Sequence, residues 1–373
     1  MSGGVDSSVA AYLTQSQGFE CIGCTMKLYH NEDAGVSKNH TCCSLDDVED
    51  ARSVARKLKM PYYVFNFSDD FKEKIIDKFV DSYLHGKTPN PCIDCNRYMK
   101  FDKLFERAEI LGCNYIVTGH YARIEFENGK FVLKKALDNF KDQSYVLYSL
   151  TQKQLAHVLF PLGGFHNKDE VRELAKEQGF INFDKHDSQD ICFVPNGDYA
   201  KVIELHSGEK QQQGNFVDTN GNILGKHKGI IHYTIGQRKG LGLALPEPHF
   251  VCAINVNDNT VVLGKAEDLY ARELLANDFN WISGDTPNGE IRCKAKIRYG
   301  QIEQPALARV LESGCVRVVF DEPQRAITKG QSLVLYDGDV VVGLRDAVAY
   351  HMRHDKLVLV QSGLYCSVGQ QQF

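Results

Sequence analysis

The sequence predicts an α/β domain, in which helices cover both faces of a parallel β-sheet, followed by two smaller β-rich domains. In the first half of the chain, short apolar runs alternate with stretches whose apolar residues recur at helical spacing. This alternation favours a parallel sheet because each parallel crossover is usually a helix. Beyond about residue 200 the runs become short and are separated by glycines, which indicates β-structure with tight connections.

The first-half elements follow one another as helix and strand. Apolar or β-rich runs predict the strands, while amphipathic spacing and capping residues such as Ser44 predict the helices. The predicted strands are Phe19–Leu28, Tyr62–Phe67 and Asn114–Val117, and the predicted helices cover 9–13, 44–58, 70–84, 101–111 and 167–178.

The second half divides into a central β-rich domain and a closed antiparallel β-barrel. The central runs are Asn215–Val217, Gly229–Tyr233, Phe250–Val256 and Thr260–Leu263. The barrel runs are Arg292–Arg298, Ala306–Leu311, Val316–Phe320, Ser332–Tyr336 and Val340–Leu344. We expect domain boundaries of 1–200, 201–272 and 273–373, with a tail from Tyr350.

Composition narrows the class of protein. The chain has 373 residues, which is long for one domain, with 43% hydrophobic and 24% charged residues. Its net charge of −5 argues against general polyanion binding, so a nucleic-acid site needs a local basic patch. No apolar run is long enough to span a membrane and no secretory signal is evident, so we expect a cytoplasmic protein. The twelve cysteines are then interpreted as thiols.

The most informative motif is residues 2–8, Ser-Gly-Gly-Val-Asp-Ser-Ser. Adjacent glycines let the backbone approach an anion, and the helix that follows supplies amides and a favourable dipole. The motif resembles the pyrophosphate loop of the ATP pyrophosphatases. Such a loop follows a buried parallel strand, and Met1 stands where that strand would end. We therefore expect this form of the chain to lack a central strand and to be unstable or inactive.

Two cysteine segments could carry chemistry. Cys92 and Cys95 form a C-x-x-C pair after Pro89 and Pro91, and these prolines predict that Cys95 lies in a loop. Cys192 lies where a polar loop meets an apolar run. A C-x-x-C pair alone is ambiguous among a zinc ligand, a redox disulfide and an iron–sulfur ligand. We interpret the other isolated cysteines as small buried hydrophobes: Cys21, Cys24, Cys113, Cys252, Cys293, Cys315 and Cys366.

Seven blocks in this order resemble the tRNA-specific 2-thiouridylases. They are SGGVDSS, CCSLDDVEDAR, NPCIDCNRYMKF, TGHYAR, KDQSY, DSQDICF and TIGQRKGLG. The resemblance extends from residue 2 to about residue 350. It implies an adenine-nucleotide α-hydrolase-like catalytic domain, a central domain and a carboxyl-terminal β-barrel.

The resemblance implies a tRNA-uridine 2-sulfurtransferase. ATP would adenylate the C2 oxygen of the wobble uridine, and a persulfide on Cys192 would deliver sulfur. Cys95 would act as nucleophile and leave a Cys95–Cys192 disulfide, with 2-thiouridine, AMP and pyrophosphate as products. The implied ATP contacts are Ser2, Gly3, Gly4, Val5, Asp6, Ser7, Met26 and Gly119. The implied RNA contacts are Asn90, Pro91, Cys92, His120, Lys141, Asp142, Gln143, Arg298, Tyr299 and Gln331.

The implied partners are the anticodon stem-loop of tRNA and a persulfide donor, which is a sulfur-relay protein or a cysteine desulfurase. The protein itself is expected to be a monomer. Mg²⁺ would accompany ATP, and none of these residues is assigned to a resident metal. Some relatives carry aspartate at the position of Cys92, which leaves the general base open. A cysteine at position 92 also permits an iron–sulfur-dependent thiolase, in which Cys92, Cys95 and Cys192 hold a [4Fe–4S] cluster, although we favour the persulfide route.

Two further functions stay open at this point. An amide- or argininosuccinate-forming ligase would use the same loop without its cysteines. A tRNA-binding protein impaired in catalysis would follow from a missing first strand.

Overall fold

The computed structural model describes residues 1–30, 33, 45–186, 191–194, 197–208, 210–277, 279–346, 352–353 and 356–357. The described residues divide into two compact units. Unit 1 takes its residues from 1–80, 91–209 and 339–341, and unit 2 takes its residues from 81–90, 210–338 and 342–373. None of the helices in these ranges combines the length and apolar character that crossing a bilayer requires.

Unit 1 alternates helices and strands. Its first elements are α1 (Val5–Ser16), β1 (Gly23–Lys27), α2 (Leu45–Lys57), β2 (Tyr62–Asn66) and α3 (Ser68–Phe71). A π-helical turn, Lys72–Ile76, joins α3 to α4 (Asp77–Leu84), whose last turn belongs to unit 2. Next come α5 (Pro91–Asp94), a π-helical stretch Cys95–Lys103, α6 (Leu104–Ile110) and β3 (Ile116–Val117). The remaining elements are β4 (Ala122–Glu127), β5 (Lys130–Lys135), a 3₁₀ turn Ser144–Val146, α7 (Gln152–Leu155), β6 (Val158–Leu159), α8 (Lys168–Glu177) and α9 (Tyr199–Ser207).

The parallel strands of unit 1 form two pairs. β1 lies parallel to β2, with Gly23 opposite Tyr62, and β3 lies parallel to β6, with Ile116 opposite Val158. The Thr25 hydroxyl donates to the Met1 carbonyl over 2.6 Å, which places Met1 beside β1. The predicted α/β class is therefore confirmed.

Helix α1 lies in the apolar core of unit 1. Its Val5, Val9 and Ala10 are buried because α2 and α8 cover that face. Burying one such aliphatic side chain contributes roughly 1.5–3 kcal/mol. The other buried members of this cluster are Val54, Tyr121, Ala136, Leu162, Val171, Ala175 and Phe180. The packing of α1 against α2 and α8 thus fixes the start of α1, where the residue 2–8 motif lies.

A hairpin that the sequence analysis did not predict joins β4 to β5. The strands pair antiparallel from Ala122–Lys135 to Glu127–Lys130. Asn128 and Gly129 both have positive φ, at 50° and 80°, as the favoured two-residue hairpin turn requires. Lys134 also pairs with Val340, which belongs to unit 1.

Unit 2 contains two sheets. Its first elements are β7 (Gly214–Val217), β8 (Ile223–His227), a 3₁₀ turn Ile230–His232, β9 (Phe250–Asn255) and β10 (Thr260–Gly264). These strands lie in the order β8-β7-β10-β9, with β10 parallel to β7. The strand predicted over Gly229–Tyr233 is wrong. Ile230 and Ile231 are buried from a 3₁₀ turn, and a short apolar run is compatible with either structure.

The second sheet forms the carboxyl-terminal β-structure. It contains β11 (Tyr270–Ala276), β12 (Asn280–Trp281), β13 (Glu290–Lys296), β14 (Gln304–Val310), β15 (Val316–Arg325), β16 (Ser332–Asp337) and β17 (Val340–Asp346). Its order is β11-β15-β14-β13-β16-β17, and β12 pairs with β17. The pairings from β11 to β16 are antiparallel. A short pair, β18 (Met352–Arg353) with β19 (Lys356–Leu357), lies in the segment predicted as a tail.

Candidate active site

The motif at residues 2–8 forms a turn that enters α1. Gly3 has φ +76°, and a Cβ there would lie 2.4 Å from the Asp47 carbonyl oxygen, so only glycine fits. Gly4 is the N-cap of α1, and no side chain caps this helix. Its first amides therefore present donors and the positive end of the helix dipole. This arrangement can bind an anion such as a phosphate.

The hydroxyl groups of the motif are held inside the turn. Ser7 and Ser8 donate to the Gly4 carbonyl over 3.0 and 3.1 Å, and the Ser2 amide donates to Ser7 Oγ over 3.0 Å. The buried Asn182 donates to the Gly3 carbonyl over 2.8 Å and to Ser8 Oγ over 3.0 Å. The turn is therefore ordered by hydrogen bonds in addition to its glycines.

Asp6 is neutralised by a lysine that the sequence analysis missed. Lys168, the first residue of α8, is 8% exposed and places Nζ 2.5 and 2.6 Å from the two carboxylate oxygens of Asp6. The Tyr121 hydroxyl donates to Asp6 Oδ1 over 2.8 Å. The pair removes a negative charge from beside the anion-binding turn. No local sequence signal connects residues so far apart in the chain.

The turn after β3 lies against the same motif. A Cβ on Gly119 would come within 2.7 Å of the Asp6 backbone, so this glycine permits close approach to the start of α1. Met26 lies in β1, near its carboxyl end. The predicted ATP-contact residues are therefore found at the start of α1, in the turn after β3 and near the carboxyl end of β1, and this fold class binds its ligands beyond the carboxyl ends of strands.

His120 is buried next to this turn, with 7% of its surface exposed. Nδ1 lies 2.7 Å from the Thr118 hydroxyl and Nε2 lies 3.3 Å from Lys100 Nζ. Because an ammonium only donates, Nε2 accepts, and Nδ1 carries the proton. Burial, followed by the Lys100 charge, lowers the pKa of His120 well below its usual 6.5. The neutral imidazole therefore orients Lys100, and little of its surface is open to the predicted RNA contact.

Cys92 and Cys95 lie on a helix, so the prediction that Cys95 lies in a loop is wrong. Pro91 occupies the first position of α5, where a missing amide hydrogen costs nothing. The helix continues as the π-helical stretch that begins at Cys95. Neither cysteine is in a disulfide, and Cys92 is exposed while Cys95 is half-buried.

Cys192 is also outside any disulfide and is half-buried. Its carbonyl accepts a hydrogen bond from the Tyr29 hydroxyl, and the next residue, Phe193, is buried. The Phe193 ring contacts Phe71 and Phe79, with centroid separations of 5.7 and 5.2 Å.

One helical segment, 68–84, contacts both cysteine segments. Phe71 and Phe79 of this segment contact Phe193, next to Cys192. Lys78 of the same segment pairs with Asp94, next to Cys95, over 2.7 Å. The structure therefore brings the Cys95 and Cys192 segments to a common support. The Asp187–Asp190 part of the DSQDICF block, which also contains Cys192, lies outside the described residues.

The iron–sulfur alternative finds no support in the geometry. Within the described residues, no group of three or more histidine, cysteine or acidic side chains is arranged to hold a metal ion.

Among the cysteines predicted to be buried, Cys293 and Cys315 are buried, and burial raises the pKa of Cys293 to about 11. That prediction is wrong for the half-buried Cys21, Cys24, Cys113 and Cys252, while Cys366 lies outside the described residues.

The predicted RNA contacts Asp142 and Gln143 hold a loop in place. Asp142 Oδ1 accepts from the Ala136 and Ser144 amides over 3.0 and 3.2 Å. Gln143 Oε1 accepts from the Tyr121 amide over 3.0 Å, and the Gln143 amide donates to the Tyr121 carbonyl over 2.8 Å. Lys141, just before them, is partly exposed.

Comparison with known proteins identifies the family. The tRNA methyl transferase HUP domain family matches residues 1–196, its PRC-barrel domain matches 201–265, and the aminomethyltransferase β-barrel domain matches 271–344. The tRNA-specific 2-thiouridylase MnmA of Clostridioides difficile (strain 630) is 55% identical over 345 residues, covering 92% of this chain and 95% of that protein. The chain belongs to the tRNA-specific 2-thiouridylase family.

Other thiouridylases are similarly close. MnmA 2 of Caldanaerobacter subterraneus subsp. tengcongensis is 56% identical, over 92% of this chain and 95% of its own length. MnmA of Acetivibrio thermocellus is 54% identical, over 92% and 96%. A solved NMN synthetase from Francisella tularensis aligns at 16% identity with a TM-score of 0.30, covering 57% of this chain and 76% of that one, which carries no argument. The comparisons do not support the cluster-dependent thiolase or the catalytically impaired tRNA-binding protein.

The remaining thiouridylase positions lie in unit 2. The Arg298 guanidinium donates to the Ile235 and Ala326 carbonyls over 3.1 Å each and to the Thr328 hydroxyl, so it braces this unit. Tyr299 is 42% exposed. Lys296 Nζ lies 5.7 Å from the Tyr299 ring centroid.

Gln331 supports the loop that leads to Asn90. Its side-chain amide donates to the Thr88 carbonyl over 2.6 Å, and the Thr88 amide donates to the Lys329 carbonyl over 2.9 Å. Because Thr88 lies two residues before Asn90, Gln331 helps to fix the segment that carries the predicted contact. The roles of Asn90, Arg298, Tyr299 and Gln331 toward RNA stay predictions.

Proposed function

We propose that this chain is a tRNA-uridine 2-sulfurtransferase that converts the wobble uridine of tRNA to 2-thiouridine with ATP and a cysteine persulfide. One observation carries the proposal. A single compact unit contains an uncapped, glycine-led helix start and two cysteines outside any disulfide, Cys95 and Cys192, whose segments contact the same helical segment. The 55% identity to a 2-thiouridylase across 92% of the chain supports it.

The first step activates the uridine. The O2 oxygen is a poor leaving group, so it attacks the α-phosphorus of ATP, pyrophosphate departs, and AMP stays bound to C2 through O2. The amides of Gly4 and Val5, with the Ser2 and Ser7 hydroxyls, hold the phosphates. Met26 and Gly119 contact the adenosine part.

Mg²⁺ accompanies ATP in this proposal and neutralises charge on the departing pyrophosphate. Asp6 is already paired with Lys168, so it offers little to a dedicated ion cage. Such an ion is held mainly by phosphate oxygens and water, as is usual for Mg²⁺.

The second step delivers sulfur. Cys192 carries the terminal sulfur as a persulfide, and the Cys95 thiolate attacks the Cys192 sulfur, forming a Cys95–Cys192 disulfide. The released sulfur, now at the sulfide level, adds to C2 and expels AMP. Two cysteine sulfurs are thereby oxidised and one persulfide sulfur is reduced, so a thiol reductant must regenerate the pair before the next turnover.

The tRNA presents its anticodon loop with the wobble uridine turned out of the stack, because C2 is inaccessible in a stacked base. Asn90, Pro91 and Cys92 face that base, and Lys141–Gln143, Arg298, Tyr299 and Gln331 support the surrounding RNA. The buried His120 acts on the RNA through Lys100, which it orients. A sulfur-relay protein or cysteine desulfurase loads Cys192. We also propose that the protein acts as a cytoplasmic monomer with domains 1–200, 201–272 and 273–373.

Nucleoside mass spectrometry tests this function. The purified chain is incubated with ATP, Mg²⁺, a thiol reductant, an unmodified tRNA and a persulfide donor. We expect 2-thiouridine at the wobble position, with AMP and pyrophosphate formed in equal amounts, and no product from a tRNA carrying wobble cytidine. Unchanged uridine after reaction with folded protein would contradict the proposal.

A further inference from the structure

The loop Leu137–Lys141 presents an aromatic ring to solvent. Phe140 is 100% exposed. Burying such a side chain stabilises a protein, so leaving it in water forgoes that stabilisation. Single exposed apolar residues are common on protein surfaces, so exposure alone decides nothing. The surroundings of Phe140 are what distinguish it.

The backbone that carries Phe140 is held on both sides of the ring. Asp138, which is 7% exposed, accepts from the Phe140 amide over 2.9 Å and from the Lys141 amide over 3.3 Å. The Leu137 amide donates to the Gly163 carbonyl over 3.0 Å. A ring on a fixed backbone loses less conformational freedom on binding than one on a mobile loop.

This loop is connected to the candidate active site by hydrogen bonds within unit 1. Gln143, three residues after Phe140, makes two hydrogen bonds to the Tyr121 backbone. The Tyr121 hydroxyl in turn donates to Asp6 in the anion-binding turn. The exposed ring is therefore anchored to the same residues that order the nucleotide site.

Another exposed phenylalanine shows the contrast. Phe126 is 65% exposed, but its ring lies 4.9 Å from that of Phe131 across the hairpin. Phe126 lies near the turn of the β4–β5 hairpin, whereas Phe140 follows the opposite end, where Ala122 pairs with Lys135.

We propose that Phe140 is a base-stacking residue for the tRNA substrate, beside the RNA contact that the proposed function already assigns to Lys141. This inference rests on the proposed function. Turning out the wobble uridine interrupts the stack of the anticodon loop, and a neighbouring nucleobase then has an open face. An aromatic side chain can cover such a face without reading its sequence, and a lysine beside it matches the phosphate charge.

Binding measurements with three substitutions test the stacking. Phe140→Ala and Phe140→Leu each weaken binding of an anticodon stem-loop RNA by about 5- to 100-fold, because a stacked base contributes about 1–3 kcal/mol. Phe140→Trp binds at least as tightly as the unaltered chain. The loss appears in KM for tRNA rather than in kcat. Phe126→Ala, the matched control, leaves RNA binding unchanged, and equal melting temperatures confirm that all variants fold.

Fluorescence gives a second readout. The chain contains one tryptophan, Trp281, so Phe140→Trp combined with Trp281→Phe leaves a single indole at the proposed position. Stacking on a nucleobase quenches that indole as the stem-loop RNA is added, whereas ATP alone does not. Wild-type affinity in Phe140→Leu, or an unquenched indole at saturating RNA, would overturn the stacking role alone. Failure of the unaltered chain to bind or thiolate tRNA would instead overturn the proposed function.

Discussion

The anion-binding turn and the cysteine segments of unit 1 are held in opposite ways. In the turn, the Gly3 carbonyl and the Asp6 carboxylate have defined partners, and Gly3 allows no Cβ. At the cysteine segments, the neighbours Asp94 and Phe193 are fixed, while the sulfur atoms of Cys95 and Cys192 are not tied up in a disulfide. A nucleotide site gains from being preorganised. Thiols that are proposed to exchange sulfur need fixed neighbours and must not already be locked in a disulfide.

The largest expected effect is the loss of thiolation when a cysteine of these segments is replaced, while the reaction at the anion-binding turn continues. Cys95→Ser or Cys192→Ser should reduce 2-thiouridine formation to below about a thousandth of the wild-type rate, since neither step has another thiol at its position. ATP–pyrophosphate exchange in the presence of tRNA should continue, because the anion-binding turn is unchanged. Cys113→Ser serves as the control and should keep both activities. Appreciable thiolation by Cys192→Ser would show that the persulfide is carried elsewhere.

A smaller effect is expected when the Lys168–Asp6 ion pair beside the anion-binding turn is broken. Lys168→Met leaves Asp6 without its cation and should lower the free energy of unfolding by about 2–3 kcal/mol, below the range for wholly buried pairs because Asp6 is partly exposed. The KM for ATP should rise as well, since an uncompensated carboxylate repels phosphate. Urea denaturation and steady-state kinetics measure the two effects.

Two variants sharpen that test. Adding Asp6→Asn to Lys168→Met should recover part of the lost stability, because it removes the isolated charge. Lys265→Met, at an exposed pair with Glu247, should change the free energy of unfolding very little, because solvent screens that pair. Equal losses at the buried and exposed pairs would contradict the account of the turn.

The smallest expected effect is the pH dependence from His120. Its pKa is lowered in the folded state by burial, whereas an unfolded histidine binds a proton below a pH of about 6.5. This residue's contribution to stability is thus complete above about pH 6.5 and is lost as the pH falls toward the folded pKa. Urea denaturation between pH 7.5 and 5.5 should show a shallower loss in His120→Gln than in the wild type. The same slope in both proteins would show that His120 does not resist protonation.

Local signals carried the prediction of many elements. The helix predicted over 167–178 is observed as Lys168–Glu177, and the side chain of its N-cap, Asn167, accepts from the Glu170 amide as capping requires. The β4–β5 hairpin was missed although Asn128-Gly129 is a strong turn signal. Cys95 was misplaced because two prolines nearby suggested a loop, whereas Pro91 starts a helix.

Long-range contacts were not predictable in the same way. Lys168 and Asp6 meet because α8 covers α1, and nothing in either segment specifies that packing. The predicted site residues likewise fall into two groups, those whose structure depends on sequence neighbours and those whose role depends on distant segments. The anion-binding turn could be read from adjacent residues, while the bracing role of Arg298 depends on carbonyl groups supplied by two other segments.

The π-helical stretch Cys95–Lys103 makes chain length itself a constraint on where Cys95 lies. Such a segment accommodates more residues per turn than an α-helix, and functional sites often exploit the resulting offset. Deleting one residue inside it would restore ordinary helical winding and rotate Cys95 by about 100° relative to the residues beyond the deletion. Substitutions along this stretch should therefore be tolerated in evolution far better than single-residue gaps.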